Sequence, residues 1–306
     1  MADGESRRGV QLGLGAYLLW GLLPIYWKQL GGVPPLQILA HRVVWSLVFL
    51  AILVLQFRRW PAVTITLRSR QHAARYLLTA VLLAINWGVY IWAVNSGYVL
   101  ESSLGYFMAP LINMLLGVLF LGERLRKLQS AAVSVAALSV LWFAIQSGTM
   151  PWIGLALAIS LGFYGLLRKR AALGGIEGLF LESLFMAPLA VAFLGFAALT
   201  GDGAFLNQGL YTDLLLVLAG VVTALPLILY VGAVQRVTLV TIGVLQYVSP
   251  TCQFLLAVFL FDEPFSHDHV LLFSGIWIAL TLYSIEGLFY VAKHRAGRRH
   301  VSSLNA

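Results

Sequence analysis

Ten apolar stretches, each close to the length needed to cross a hydrocarbon core of about 30 Å, follow one another along this chain. They cover residues 10–29, 36–56, 76–96, 102–121, 128–145, 152–167, 176–199, 211–234, 238–261 and 270–290. In lipid a segment of this length must satisfy its peptide groups internally, so each is expected to be a helix. Only 10% of the residues are charged and 60% are hydrophobic. A soluble domain carries about 25% charged residues, so an ordinary soluble fold is excluded.

The formal net charge of +8 would suit a nucleic-acid partner, but its distribution argues against one. Every second segment outside the spans holds the positive residues, beginning with the N-terminal tail. They are Arg7 and Arg8; Arg58, Arg59, Arg68, Arg70 and Arg75; Arg124, Arg126 and Lys127; Arg168, Lys169 and Arg170; Arg236; and Lys293, Arg295, Arg298 and Arg299. These are 18 of the 20 basic residues, the others being Lys28 and Arg42. Positive residues stay on the cytoplasmic side, so both termini are expected there. The first span follows a basic pair, as in a signal peptide, but its length and lack of a small-residue cleavage pattern suit an uncleaved helix better. A single cysteine, Cys252, excludes an intramolecular disulfide and is expected to pack as a small residue.

The second half repeats the first. Residues 90–123 align without a gap to 230–263, with eight identities: Tyr90/Tyr230, Ala93/Ala233, Val94/Val234, Pro110/Pro250, Leu115/Leu255, Leu116/Leu256, Val118/Val258 and Glu123/Glu263. Gly13, Leu14, Gly21 and Lys28 similarly match Gly154, Leu155, Gly162 and Lys169. Each half holds five spans, an odd number, so the second copy would enter the membrane upside down. The expected fold is therefore all-α and integral to the membrane, with ten transmembrane helices as two inverted five-helix repeats, 1–147 and 148–306. Inverted repeats are a common construction for alternating-access transporters. The segments around 60–75 and 201–213 read as the longer loops.

Polar residues within spans mark the candidate site. Asn86, Tyr90 and Asn95 lie on the third span, and Tyr106, Pro110 and Asn113 share a stripe on the fourth. Tyr230 and Gln235 on the eighth, with Gln246, Pro250 and Gln253 on the ninth, stand at matching heights. As single residues these amides could equally be packing contacts between helices. Together with Trp20, Trp87, Trp92 and Tyr247 they describe an amphipathic, aromatic cavity suited to a neutral or mildly polar organic molecule.

Charges inside a membrane are costly and usually functional. Arg42 lies against the positive-inside trend, in one layer with Lys28 and Glu101, where either cation could pair with the carboxylate. Glu182 is the counterpart of Arg42, and Lys169 that of Lys28. This suggests an ionic cluster at each mouth, acting as alternating gates; the alternative is that these side chains snorkel to the interface. Glu123 and Glu263 read as helix-end contacts and Glu286 as an interfacial residue. His267, Asp268 and His269 have ligand residue types but too few partners for a metal site. No HExxH, GxSxG, GxxxxGK[ST] or buried Ser/His/Asp pattern is present. Neither enzymatic activity nor a cofactor is expected.

The segments NWGVYIWAVNSGYVLESSLGYFMAPLINMLLGVLFLGERL (86–125) and GVLQYVSPTCQFLLAVFLFDEPF (243–265) resemble the RarD-type permeases of the drug/metabolite transporter superfamily. GLLPIYWKQL (21–30) and HRVVWS (41–46) extend the likeness over nearly the whole chain. The resemblance implies two EamA domains, an inner-membrane location, a traditional link to chloramphenicol, and a cavity built from the first, third and fourth helices of each half. The expected partners are a small-molecule substrate and the lipid bilayer. Protons are a candidate coupling ion, and the molecule could be a monomer or a homodimer. A solute receptor or scaffold that transports nothing is the competing reading.

Overall fold

A computed structural model describes residues 2–95, 99–125, 127–146 and 152–260, and residues 274, 275, 278 and 281. It is a bundle of helices: α1 (Ala2–Lys28), α2 (Pro35–Gln56), α3 (Trp60–Arg68), α4 (Arg70–Asn95), α5 (Val99–Leu121), α6 (Lys127–Gln146), α7 (Trp152–Lys169), α8 (Gly175–Thr200), α9 (Leu210–Val234), α10 (Leu239–Gln246) and α11 (Val248–Phe259). Six of these, α1, α2, α4, α7, α8 and α9, are long and apolar enough to cross a membrane. Apart from residues 274, 275, 278 and 281, the expected tenth span lies outside the described residues, as do Glu263, Glu286 and the 267–269 cluster.

Large apolar side chains cover the outside. Leu189, Leu199, Phe196, Ile145 and Leu138 are exposed along their helices. In water so much exposed apolar surface would drive aggregation; against lipid tails it is the expected surface. The chain is a multi-pass membrane protein.

The helices interlock across the two halves of the sequence. α1 packs on α9, α10 and α11, whereas α7 packs on α4 and α5, and α2 lies along α8 and α9. Small residues set these distances. A Cβ on Gly220 of α9 would collide with the backbone of Trp45 in α2, where Ser46 Oγ donates to the Gly220 carbonyl at 3.0 Å. A Cβ on Gly105 would meet the Gly154 backbone at 3.0 Å, and one on Gly162 would meet Ile112 at 2.7 Å, which explains the close fit of α5 on α7.

Two features differ from the sequence reading. The segment around 60–75 is not a loop: α3 begins with Pro61 in its first turn, where a missing N–H costs nothing. It buries Val63 and sets Trp60 edge-on against Phe180, and α4 starts at Arg70, six residues before the expected span. The stretch expected as one ninth helix, 238–261, is divided at Tyr247 into α10 and α11. Pro250 has no N–H for the carbonyl of Gln246, four residues back, which weakens the helix there.

Gly201 closes α8 in the left-handed conformation (φ 82°), with Asp202 N–H donating 3.0 Å to the Ala197 carbonyl. The connection that follows is clamped by one side chain. Gln37 donates through Nε2 to the Asp202 carbonyl (2.7 Å) and accepts from Ala204 N–H (2.8 Å), imitating a peptide group.

Candidate functional site

A cavity of about 310 Å³ lies among α1, α2, α4, α5, α7, α9, α10 and α11. It sits toward the end of the bundle that carries the α1–α2 turn, because its lining comes from the C-terminal halves of α1 and α4 and the N-terminal halves of α2 and α5. Six aromatic side chains line it: Tyr17, Trp20, Trp27, Trp87, Tyr90 and Tyr106. Tyr90 and Tyr106 meet edge to face with ring centres 5.7 Å apart, and Tyr17 and Trp20 lie 5.4 Å apart.

Prolines release backbone acceptors around this space. Pro24 in α1 cannot donate to the Trp20 carbonyl; Gln253 Nε2, from α11, donates to that oxygen at 3.2 Å and to Ser249 Oγ at 3.3 Å. The matched Pro110 and Pro250 likewise withhold a donor from the carbonyls of Tyr106 and Gln246, two lining residues that also correspond in the repeat.

Amides occupy the deep end. Asn86 donates to the Leu157 carbonyl (2.9 Å) and Ser160 Oγ (3.0 Å). Gln246 Oε1 accepts from Asn113 Nδ2 at 2.7 Å. Among the described residues each amide spends one group on the protein, which leaves the Asn86 Oδ1 acceptor and the Gln246 Nε2 donor for a bound molecule.

Of the sequence-derived cavity residues, Trp20, Asn86, Tyr90, Tyr106, Gln246 and Gln253 line this cavity. Asn113 and Tyr230 are fully buried one layer behind, where Tyr230 stacks on Tyr164 at 6.2 Å and packs edge-on to Tyr17. Gly165 makes room for the Tyr230 hydroxyl, since a Cβ there would lie 2.5 Å from it. The side chain of Asn95 lies outside the described residues. Trp92 faces outward against Trp152, Tyr247 is buried away from the cavity, and Gln235 bonds the Leu173 carbonyl at 3.0 Å.

Among the charged residues, Lys169 and Glu182 turn to different partners. Arg42 lines the cavity, donates from Nε to Thr223 Oγ1 (2.9 Å), and lies between the rings of Trp27 (4.8 Å) and Trp87 (5.0 Å). Lys28 is exposed at the end of α1, and the side chain of Glu101 lies outside the described residues. Glu182 is fully buried and pairs not with Lys169 but with Arg168, at 3.7 Å. It also accepts from Thr79 Oγ1 (2.6 Å) and Tyr164 Oη (3.2 Å). Lys169, next along α7, points instead to Glu123 (4.0 Å) and to the carbonyls of Val234 and Val237. One residue along a helix turns the side chain by about 100°, so Arg168 and Lys169 serve different neighbours.

Glu123 stands just past the end of α5, the helix-end position expected from the sequence. Gly122, at φ 66°, ends α5 and turns the chain back. The Glu123 carboxylate then accepts from Leu239 N–H (2.9 Å) and Val240 N–H (3.0 Å), the first amides of α10.

Sequence reasoning missed Arg168, Thr79, Tyr164 and Thr223. Arg168 reads as one more positive-inside residue, and only the Glu182 match to Arg42 hinted that a cation was needed there. Its guanidinium lies over Gly178 of α8 so closely that a Cβ would overlap it.

Beyond the cavity, a void of about 10 Å³ is lined by Leu83, Trp87, Thr223 and Leu227 on the cavity side and by Glu182 and Ser183 on the other. That is about enough for one water. Past Glu182 and Thr79, a second cavity of about 200 Å³ is bordered by Thr79, Tyr76, His72, Arg75 and Arg170. The Arg168–Glu182 pair and its hydroxyl partners thus stand between two spaces at opposite ends of the bundle.

Residues 7–145 match the EamA-like transporter family. An uncharacterized transporter of Vibrio cholerae is 46% identical over 96% of this chain and 97% of its own length. Protein RarD of Salmonella typhi is 41% identical over 93% and 97%, respectively. The chain belongs to the EamA-like transporter family and is a RarD-type permease. Family members are membrane transporters and not enzymes. A solved crystal structure with a TM-score of 0.70 and 18% identity covers 90% of this chain and 97% of that one, a likeness of fold alone. Among the described residues no cluster of three or more His, Cys, Asp or Glu could hold a metal.

Proposed function

We propose that this protein is a secondary transporter of the inner membrane that moves a small organic metabolite or drug by alternating access. It would use ten transmembrane helices in two inverted repeats, 1–147 and 148–306, with both termini cytoplasmic. The observation that carries this reading is the asymmetry of the interior. A roomy amphipathic cavity occupies one half, and the Asn113–Gln246, Tyr230–Tyr164 and Arg168–Glu182 layers fill the other.

The exchanged packing supports the repeat. The first span rests on the eighth and ninth, and the sixth rests on the third and fourth, as a two-fold axis in the membrane plane would require. With basic segments inside, the cavity faces outward and the buried pair is the cytoplasmic seal. The contact between Arg168 Nε and Glu182 is long, 3.7 Å, so the seal is held by charge more than by a close hydrogen bond. Trp20, Asn86, Tyr90, Asn95, Tyr106, Asn113, Tyr230, Gln246 and Gln253 would shape the substrate path, and Lys28, Arg42, Glu101, Lys169 and Glu182 would gate or bind charge. Glu182, between the two spaces, is the natural carrier if protons drive transport. The chloramphenicol link of the resemblance makes amphenicols one compound class to include among trial substrates.

Cysteine accessibility tests the asymmetry. In a Cys252→Ser background, Tyr106→Cys should react with an impermeant maleimide applied to the outer face of intact cells. Thr79→Cys should react only after the inner face is exposed. Reaction of Tyr106→Cys solely from the inside would reverse the assignment. A receptor or scaffold is the second reading, favoured only if bound solutes never cross.

A further inference from the structure

The surroundings of Arg42 say more about the substrate than the aromatic walls do. A guanidinium carries five N–H donors in a fixed plane. Here Nε is committed to Thr223 Oγ1 (2.9 Å), and the flat sides face Trp27 and Trp87 at 4.8 and 5.0 Å. Among the described residues no carboxylate lies within 4 Å of it. What remains is the edge bearing the two terminal amino groups, on a residue that lines the cavity. A planar edge of this kind matches the two oxygens of a carboxylate, and aromatic stacking holds it without lending it a counter-charge.

A cation at this depth is expensive without a counter-charge, and among the described residues, which leave out the side chain of Glu101, no carboxylate supplies one. Resting on the transporter reading of the same site, we propose that Arg42 is the anion receptor and that the substrate is an organic monoanion. Its carboxylate would meet the Arg42 edge, and its apolar or aromatic body would lie against Trp20, Trp87, Tyr90 and Tyr106. A hydrogen-bonding group at its far end would reach Gln246 or Asn86. Among the described lining residues Arg42 is the one cation, which selects a monoanion: a dianion would carry an uncompensated negative charge into the membrane. This revises the neutral substrate that the aromatic lining alone suggests.

The test uses the detergent-purified full chain and three acid–amide pairs: benzoate and benzamide, 3-phenylpropanoate and 3-phenylpropanamide, indole-3-acetate and indole-3-acetamide. Thermal stabilisation is followed across a concentration series. At least one acid should stabilise the protein and bind about tenfold or more tightly than its amide. Arg42→Gln should abolish that preference, and Thr223→Val, which keeps the charge but frees Nε, should weaken it. The Thr223 variant keeps the test decisive if Arg42→Gln does not fold. Amides that stabilise as well as their acids, acids that bind Arg42→Gln unchanged, or no stabilisation by any acid would each overturn the proposal. Flux in liposomes separates the two readings. An acid bound through Arg42 but never carried defeats the transporter reading and leaves the anion site standing. Neutral amides carried in preference to acids defeat the anion site and leave the transporter standing.

Discussion

Gln253 Nε2 donates to the carbonyl of Trp20, the oxygen that Pro24 leaves without its helical donor. The bond ties α11 to α1 beside the cavity and repairs a defect that the proline creates. Gln253→Ala is expected to cost about 0.5–2 kcal/mol of apparent stability. In a Pro24→Ala background the same change should cost much less, because an alanine at that position supplies the missing N–H. A thermal double-mutant cycle measures this, and strict additivity would show that the two residues act separately.

The Arg168–Glu182 pair is buried on both sides. Glu182→Gln or Arg168→Gln strands the remaining partner in the interior and should destabilise the protein by about 3–5 kcal/mol. The double variant should be less damaged than the sum of the two. Gly178→Ala should resemble Arg168→Gln, since the added methyl displaces the guanidinium. Thermal melts of the four variants, read together, check the assignment.

Glu123 caps α10 through two backbone amides and faces Lys169. Glu123→Gln keeps the shape and loses the charge at a helix N-terminus, so a loss of about 1 kcal/mol is expected. Lys169 keeps its bonds to the Val234 and Val237 carbonyls in that variant. Lys169→Met should therefore add a further loss. Equal stability of Glu123→Gln and the parent would remove the capping role.

Hydropathy gives most helix positions along this chain because lipid leaves the backbone no other choice, and α2, α7, α8 and α9 begin and end within two residues of the expected bounds. α3 was hidden because a nine-residue helix at the surface has no span to announce it. The cavity wall was legible where polar residues interrupt apolar spans, as at Asn86, Tyr90 and Gln253. It was not legible for Arg168 or Thr223. Arg168 is concealed by the positive-inside pattern, and a threonine in a span looks ordinary until Arg42 is placed 2.9 Å away. Pairing across 181 positions depends on how the halves interlock, which no local pattern contains.

Efflux from loaded vesicles tests the central claim directly. Liposomes holding a defined mixture of small organic acids, their amides and amphenicols are prepared with and without the protein, and release is followed by mass spectrometry. The account predicts that at least one compound leaves protein-containing vesicles faster than protein-free ones, and that Asn86→Leu with Tyr90→Leu suppresses the difference. Identical release from both, with a folded protein that the same compounds stabilise, would contradict it and identify a receptor.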